Sequence, residues 1–500
     1  MNTFTINKIK PAELKTIGHY TGYVSIVLGL LMIIPIICAY IYNDSDVYLY
    51  SFIISSIINI TVGLTLYLVF NTKSITNLSL KGSLIFVMSI WGFTSIFASL
   101  PYFISGDLSF IDAFFEGMSG ITTTGFSMYD VYTFPYSISM WRCLIQWFGG
   151  LGIIFLLLVI VPSSVSLKRL YFAEGKTEQM TPNIKHTSKI FIKVYLILTA
   201  FAISLYLLGG LDIFDSICYS FVGIATGGYI IHPEHINNFT NPIIQLITIA
   251  VMIMGATNFI VHYRIMKGNW KNLYKDVEIR AMFSIIAIAT VLIFISLYIN
   301  GLYGQDAILI FRHSLFQVVS ILTSTGFLST DINIWTPFSY YILVLLMLCG
   351  GAVCSTAGGI KIYNVAVMFK AIWWETQQMF LPTNTVIKRK IYHDQRKRVI
   401  TKDAIRTILV YIISYVLLFI VSTLIVLMFC KNLEISFTIV AASIGNTGVG
   451  PSFISPSLPL VVKIVLIIDF WAGRIGVWPL LLSIVYLSYM LQSKVESKDE

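Results

Sequence analysis

The chain has 500 residues, of which 57% are hydrophobic and only 11% charged, and its formal net charge is +9. Soluble domains carry about 25% charged residues, so this composition excludes an ordinary soluble protein and indicates an integral membrane protein. The surplus of lysine and arginine lies in loops between apolar runs, as the positive-inside rule expects, and does not indicate a nucleic-acid partner.

Apolar runs that are long enough to cross a bilayer recur along the whole chain. We predict spanning helices at about 18–42, 47–70, 82–104, 140–162, 188–210, 240–265, 280–300, 337–370, 405–430 and 458–492. Shorter apolar pieces lie between some of these runs and cannot span, so we predict re-entrant half-helices at about 111–121, 212–224, 307–322 and 434–444.

Each of the short pieces runs directly into a segment rich in threonine and glycine. The segments read Thr122-Thr123-Thr124-Gly125-Phe126, Ala225-Thr226-Gly227-Gly228-Tyr229, Thr323-Ser324-Thr325-Gly326-Phe327 and Asn446-Thr447-Gly448-Val449-Gly450. A spacing of roughly a hundred residues is too long for a solenoid repeat and suits a duplicated membrane module. Glycine and threonine let the backbone turn its carbonyl groups toward a pore axis, where they can replace the water shell of an ion.

The repeated unit is therefore a span, a half-helix, a filter segment and a second span. We predict an all-α integral membrane protein with four parallel copies of this unit in a pseudo-fourfold arrangement, preceded by two extra N-terminal transmembrane helices. The expected boundaries are 1–75 for the N-terminal two-span domain, then 76–170, 171–270, 271–400 (with a cytoplasmic basic loop) and 401–500 for pore repeats one to four.

Charge predicts the orientation of the chain. Basic residues cluster in alternate loops, so the N-terminus, the basic loops and the C-terminus are expected in the cytoplasm, and the filter segments open outward. The half-helices begin with the acidic residues Asp112, Asp212 with Asp215, Asp306, and Glu434. These acids either stabilise the helix starts or form a ring that concentrates cations at an outer mouth, and both hypotheses remain open.

The backbone carbonyls of the four segments are the predicted ligands of a dehydrated cation. The residues are Thr123, Thr124 and Gly125; Ala225, Thr226 and Gly227; Ser324, Thr325 and Gly326; and Asn446, Thr447 and Gly448.

Two features below the predicted filter are expected to form a gate. A glycine-rich stretch at 350–359 interrupts an apolar run, and irregular backbone at membrane depth is tolerated where it lines a cavity or is buried in protein. Its candidate residues are Gly350, Gly351, Ser355, Thr356, Gly358 and Gly359. Arg474 lies near the middle of the last run, where a charge is costly. It either forms a structural ion pair, with Asp469 as the candidate partner, or faces the pore as an electrostatic barrier.

These motifs resemble those of the TrkH family, within the Trk/Ktr/HKT superfamily of potassium uptake systems. The four segments match the family's degenerate versions of the potassium-channel filter. Residues 146–154 (QWFGGLGII) resemble its Gln-Trp-x-Gly-Gly-x-Gly-Ile stretch, and 350–361 (GGAVCSTAGGIK) its intramembrane loop. The chain departs from the family pattern at Cys354 and Ala357, where glycine is usual, and at Gly476, where glutamate is frequent.

The resemblance implies potassium-selective uptake across a bacterial inner membrane, with glycine at Gly125 going with potassium selectivity. It implies a pore-facing Arg474, potassium as the substrate, no organic cofactor, and a homodimer embedded in membrane lipid. It also implies a cytoplasmic nucleotide-binding regulatory partner of the TrkA type, which would bind the nucleotide in place of this chain. The basic segment 371–402 and the loop 163–187 are candidate docking surfaces.

Other function classes fit the sequence less well. A secondary transporter of unrelated fold would be expected to show inverted repeats with paired intramembrane acids, whereas this chain shows parallel repeats. An enzyme would need a catalytic constellation, and we expect none. Within the pore class, channel-like flow and proton- or sodium-coupled symport of cations both remain open.

Overall fold

The protein is an assembly of membrane-spanning and shorter helices with one small hairpin. A computed structural model describes residues 10–70, 79–129, 135–152, 184–231, 239, 241–269, 273–382, 387–393, 396–449 and 454–485. Within these ranges, six helices are long and apolar enough to cross a membrane. A seventh span results if Pro242–Ala256 and Phe259–Met266, which are bent by 105° relative to each other, count as one. The predicted all-α membrane architecture is confirmed.

The two N-terminal spans pack closely against each other. They comprise α1 (Pro11–Leu31), continued by α2 (Ile33–Ile41), and α3 (Asp46–Val69). A Cβ on Gly22 would lie 2.6 Å from the carbonyl oxygen of Gly63, so the two backbones nearly touch where both helices carry glycine. The Ser25 hydroxyl donates to the carbonyl of Asn59 across the same contact, at 2.9 Å.

Four units follow, and each contains a half-helix between two other helices. They comprise α4 (Leu80–Ile104), α5 (Phe110–Ile121) and α6 (Tyr136–Leu151); α7 (Ile184–Leu208), α8 (Ile213–Ala225), α9 (Pro242–Ala256) and α10 (Phe259–Met266); α11 (Val277–Ile299), α12 (Ala307–Leu322), α13 (Pro337–Met347) and α14 (Ile362–Met379); and α15 (Lys402–Cys430), α16 (Leu433–Ile444) and α17 (Leu460–Ile475). The half-helices α5, α8, α12 and α16 match the predicted ones closely.

Each half-helix begins at a residue whose side chain accepts a hydrogen bond from the first turn. The capping residues are Ser109, Asp212, Asp306 and Asn432. Such caps satisfy backbone N–H groups that have no partner within the helix, and they explain why these short helices start where they do.

Three predicted spans are interrupted. The run at 240–265 was predicted as one helix but bends at Thr257, whose backbone is extended, and restarts after Asn258 caps α10. The run at 337–370 breaks between α13 and α14, as the glycine-rich stretch predicts. The last run breaks at Gly476, where φ is +95°, and its helix resumes over 477–485.

Short elements connect some of the helices. The strands β1 (Lys390–His393) and β2 (Arg396–Val399) form an antiparallel hairpin, and single 3-10 turns cover Leu273–Lys275, Leu302–Gln305 and Ile332–Ile334. The predicted unit boundaries near 75, 170 and 270 fall outside the described residues and remain predictions. The loop 163–187 lies almost entirely outside them as well.

Candidate ion filter and gate

The chain leaves each half-helix through the same backbone turn. In each turn a backbone N–H donates to the carbonyl five residues earlier: Thr124 to Ser119 (2.8 Å), Gly227 to Val222 (2.9 Å), Thr325 to Ser320 (2.9 Å) and Thr447 to Ala442 (2.8 Å). The residue before each donor is left-handed although it is not glycine: Thr123, Thr226, Ser324 and Asn446, with φ from +51° to +58°. Such backbone is uncommon outside glycine and is concentrated at functional sites.

A glycine with positive φ follows each donor. These glycines are Gly125 (+92°), Gly228 (+72°), Gly326 (+85°) and Gly448 (+63°). The equivalent of Gly125 in the second unit is therefore Gly228, whereas the sequence pattern alone predicts Gly227. Two adjacent glycines cannot be told apart by composition, and the backbone conformation distinguishes them. The second segment is equivalent to the others over 226–228, and Ala225 corresponds to Thr122.

The four segments close a ring in chain order. A Cβ on any of the four glycines would come closer than 3.0 Å to a carbonyl oxygen of the next segment: Gly125 to Gly227, Gly228 to Thr325, Gly326 to Thr447, and Gly448 to Thr124. Each contact uses the same pair of positions, which supports the corrected register. The structure thus brings all four predicted segments together around one centre.

Hydrogen bonds from the half-helices hold the first and third segments alike. The hydroxyl of Ser119 donates to the carbonyl of Phe126 at 2.6 Å, and that of Ser320 donates to Phe327 at 2.7 Å. The second segment is held differently, since Nε2 of Gln146 donates to the carbonyl of Gly227 at 2.6 Å. Side-chain hydrogen bonds therefore restrain the backbone of three of the four segments.

A buried ion pair that the sequence analysis missed lies behind the first two segments. Nε of Arg142 on α6 lies 2.9 Å from Oε1 of Glu116 on α5, and their side chains are 1% and 0% exposed. Glu116 also accepts the backbone N–H of Met128 at 2.8 Å, and Arg142 donates to the carbonyl of Ile230 at 3.1 Å. The guanidinium lies 4.1 Å from the ring centre of Tyr229. Opposite charges in two neighbouring apolar helices were the signal for this pair.

Three acidic residues at the half-helix starts, Asp112, Asp212 and Asp306, have partners close to the helix starts. Asp212 and Asp306 accept backbone N–H groups of their own helices. Asp112 contacts the ammonium of Lys463, and their side chains are 7% and 8% exposed. A carboxylate paired in this way contributes little free negative charge to an outer mouth.

Arg474 reaches three parts of the site at once. Its guanidinium donates to the Thr123 hydroxyl of the first segment at 3.1 Å and to the carbonyl of Gly149 at the end of α6 at 2.6 Å. It also donates to the carbonyl of Thr356 in the intramembrane loop. The cation is therefore held by backbone carbonyls and a hydroxyl next to the ring.

Asp469 is not the partner of Arg474 in the described part of the chain. Its Oδ1 accepts from the Ser422 hydroxyl at 2.8 Å, and no ion pair between Asp469 and Arg474 occurs among the described residues. The two residues are five positions apart on α17, so they point to different sides of the helix. The hypothesis that Asp469 is the ion-pair partner of Arg474 does not fit this geometry.

The intramembrane loop at 350–361 packs directly against the ring of filter segments. The Thr356 hydroxyl donates to the carbonyl of Ile224 at 3.0 Å, and a Cβ on Gly358 would collide with the side chain of Asn446. Ser355 and Thr356 are buried. The Thr226 hydroxyl of the second segment also donates to that of Thr356 at 3.2 Å, so the loop contacts the second segment, the fourth segment and Arg474.

The bend between α9 and α10 forms backbone hydrogen bonds with the intramembrane loop. The bend leaves the last carbonyls of α9 without partners in their own helix. Ala256 accepts the N–H of Ala352 at 2.9 Å, and Gly255 accepts that of Thr356 at 3.2 Å. Irregular backbone is tolerated at membrane depth here because these two segments of the chain supply hydrogen-bond partners to each other.

Comparison with known proteins agrees with this architecture. The family model described as TrkH, cation transport protein, matches residues 49–494. The Trk system potassium uptake protein TrkH of Escherichia coli K12 is 30% identical over 480 residues, covering 93% of this chain and 97% of that protein. An uncharacterized cation transporter of Methanocaldococcus jannaschii is 28% identical over 483 residues, which cover 95% of this chain and 96% of that protein.

A solved structure matches the fold over almost its full length. The crystal structure of the potassium transporter TrkH from Vibrio parahaemolyticus superimposes with a TM-score of 0.82 at 27% identity, covering 94% of this chain and 98% of the other. The sequence match, the shared fold and the four filter segments agree, and the chain belongs to the TrkH family of cation transport proteins.

Proposed function

We propose that this protein carries potassium ions into a bacterial cell across the inner membrane. The observation that carries the proposal is the ring of four segments, in which each glycine packs against a carbonyl of the next segment. Carbonyl oxygens clustered around one axis can replace the water shell of a monovalent cation. The ion ligands would be the carbonyls of the twelve predicted residues, with Gly228 added to the second segment.

The orientation follows from the distribution of charge. The N-terminus, the hairpin side and the C-terminus face the cytoplasm, because the basic loops lie on that side. The half-helices then point their C-terminal ends at the ring, and the partial negative charge of those ends favours a cation there.

The gate consists of the intramembrane loop and Arg474. Both lie on the inner side of the ring, where Arg474 joins Thr123 to Thr356. A fixed positive charge next to the ion path raises the energy of a passing cation, and the effect is large where water is excluded. Release of the loop from Arg474 would lower this barrier and widen the path.

Two copies of the chain form a homodimer in the membrane, and a nucleotide-binding partner of the TrkA type docks on the cytoplasmic side. The segment 371–402, which includes the hairpin, is the docking surface within the described residues.

A flux measurement in proteoliposomes tests the proposal. Purified protein should let potassium and rubidium enter vesicles much faster than sodium or lithium. Reversal potentials recorded at different pH and sodium concentrations should follow the potassium gradient alone. Equal potassium and sodium flux would overturn the proposal, and a reversal potential that shifts with pH or sodium would indicate coupled symport.

A further inference from the structure

Three ionisable side chains meet on the hairpin side of the protein, away from the filter ring. Asp276 caps α11, Glu278 lies in its first turn, and His393 ends β1. Each offers one potential metal-ligand atom, and these atoms all lie within 4.8 Å of one another. The three residues are only 3–6% exposed.

Each carboxylate uses one oxygen in a structural hydrogen bond. Oδ1 of Asp276 accepts the backbone N–H of Glu278 at 2.9 Å, and Oε1 of Glu278 accepts that of Val353 at 2.7 Å. Oδ2 of Asp276 lies 3.4 Å from Nδ1 of His393. That separation is longer than a good hydrogen bond. It is close to the ~3.3 Å between neighbouring ligands of a tetrahedral site whose bonds are about 2.0 Å long.

The position of His393 is set by packing as well as by charge. Its ring lies 4.8 Å from that of Tyr363 on α14. The hairpin also inserts Ile391 into a small apolar cluster with Val277 and Val367. The imidazole is therefore held near the two carboxylates by the fold around it, as a metal site requires.

The donor set of the cluster favours a divalent cation. Two carboxylates and one imidazole lie close together and are shielded from water, as the ligands of a bound metal ion do. One imidazole and two carboxylates suit first-row transition metals such as zinc or manganese, whereas calcium and magnesium prefer all-oxygen sites. We propose that Asp276, Glu278 and His393 bind one divalent transition-metal ion of the zinc class, with water completing the coordination.

The ion would tie the hairpin to the intramembrane loop. His393 belongs to the hairpin, and Glu278 holds the N–H of Val353 within the loop at 350–361. A metal bond to both residues would restrain the two segments together. The effect on conduction rests on the proposed function, but metal binding itself does not.

Metal binding to the full-length protein in detergent is the first test. After treatment with a chelator, the protein is dialysed against micromolar Zn²⁺, and bound zinc is counted per chain. We expect one ion per chain, and at least about tenfold weaker binding in His393→Gln and in Glu278→Gln. Glu278→Gln keeps an acceptor for the N–H of Val353, so its fold should be preserved.

A matched control separates this site from adventitious binding. His19→Gln removes a histidine on α1, whose ring nitrogen lies 3.2 Å from the carbonyl of Tyr67, and it should bind zinc like the unmodified protein. Failure of the unmodified protein to bind zinc would overturn the proposal. Unchanged binding in both His393→Gln and Glu278→Gln would also overturn it.

Protease sensitivity of the hairpin is the second test. Arg396, Lys397 and Arg398 are exposed on β2 and are potential trypsin sites. Zinc should slow cleavage there at least about threefold in the unmodified protein and leave His393→Gln unaffected, because local opening governs cleavage. Equal protection of both proteins would show that the ion binds elsewhere. Neither test measures ion flux, so loss of potassium transport alone would count only against the proposed function.

Discussion

Gly448 lies so close to Thr124 that a Cβ on the glycine would come within 3.0 Å of the threonine carbonyl oxygen. This contact joins the last filter segment to the first and closes the ring within a single chain. Each segment is therefore wedged between two others, and a side chain added at one glycine displaces a carbonyl of its neighbour.

Gly125→Ser should let sodium pass. The serine side chain would collide with the carbonyl of Gly227, and φ of +92° is unfavourable for any residue with a Cβ. A displaced carbonyl no longer fits potassium better than sodium, so the ratio of potassium to sodium flux should fall at least about tenfold, equivalent to ~1.4 kcal/mol. Flux of both ions into proteoliposomes measures the ratio. An unchanged ratio in a folded variant would mean that the ring tolerates the side chain.

Gly228→Ala should impair selectivity more than Gly227→Ala. A Cβ on Gly228 would strike the backbone carbonyl of Thr325, and the residue would also be held in the left-handed region. A Cβ on Gly227 would strike the amide end of the Gln146 side chain and no backbone carbonyl, and φ of Gly227 is not positive. The measurement is again the potassium-to-sodium flux ratio. If Gly227→Ala has the larger effect, the original sequence register of the second segment is the correct one.

Apolar run length and helix-start chemistry made most helices predictable from the sequence. The half-helix expected at 307–322 is observed as Ala307–Leu322, because Asp306 marks its start and Thr323 follows its end. The bend at Thr257 was not predicted, although Thr257 and Asn258 interrupt the apolar run, because its freed carbonyls are satisfied by distant residues: Ala256 by Ala352 and Gly255 by Thr356.

The candidate site was predictable in type but not in detail. Threonine and glycine after each half-helix indicated the segments, but only backbone conformation distinguishes Gly227 from Gly228. The pairing of Glu116 with Arg142 depends on how α5 and α6 pack, which local sequence does not encode. The same holds for Arg474, whose partners lie in distant segments and do not include Asp469.

Arg142→Met should destabilise the protein and loosen the first segment. The substitution leaves the Glu116 carboxylate buried without its guanidinium, and breaking a buried pair costs about 3–5 kcal/mol. Thermal unfolding in detergent should show a clear drop in midpoint, together with a lower potassium-to-sodium flux ratio. The double variant Glu116→Gln with Arg142→Met should recover much of the loss, because glutamine carries no charge that needs the guanidinium and still offers an acceptor to the backbone N–H of Met128. A double variant no more stable than Arg142→Met would contradict this account.

Arg474→Ala should raise ion flux. The substitution removes a positive charge next to the ring and frees Thr356 in the intramembrane loop. Asp469→Asn is the matched control on the same helix. It should leave ion flux within about twofold of the unmodified protein, because Asp469 contacts Ser422 and not Arg474. Rubidium uptake into proteoliposomes measures both. Increased flux in Asp469→Asn would revive the ion-pair hypothesis.

Deletion of 351–358 should give a folded protein that conducts constantly. The ends of the deleted segment already lie together, because the N–H of Gly350 donates to the carbonyl of Ile360 at 2.8 Å and a Cβ on Gly359 would lie 3.1 Å from the nitrogen of Gly350. Joining Gly350 to Gly359 therefore needs little movement of α13 or α14. The deletion removes the loop from below the ring and releases Arg474 from Thr356.

The deletion variant should also ignore a cytoplasmic nucleotide-binding partner, because the segment that closes the path is gone. Rubidium flux with and without the partner and its nucleotide measures this response. Ser355→Ala, which removes the hydroxyl that donates to the carbonyl of Ala352 but keeps the loop, should keep the response and serves as the control. If the deletion variant still closes and still responds to nucleotide, the loop is not the gate, and Arg474 alone must form the barrier.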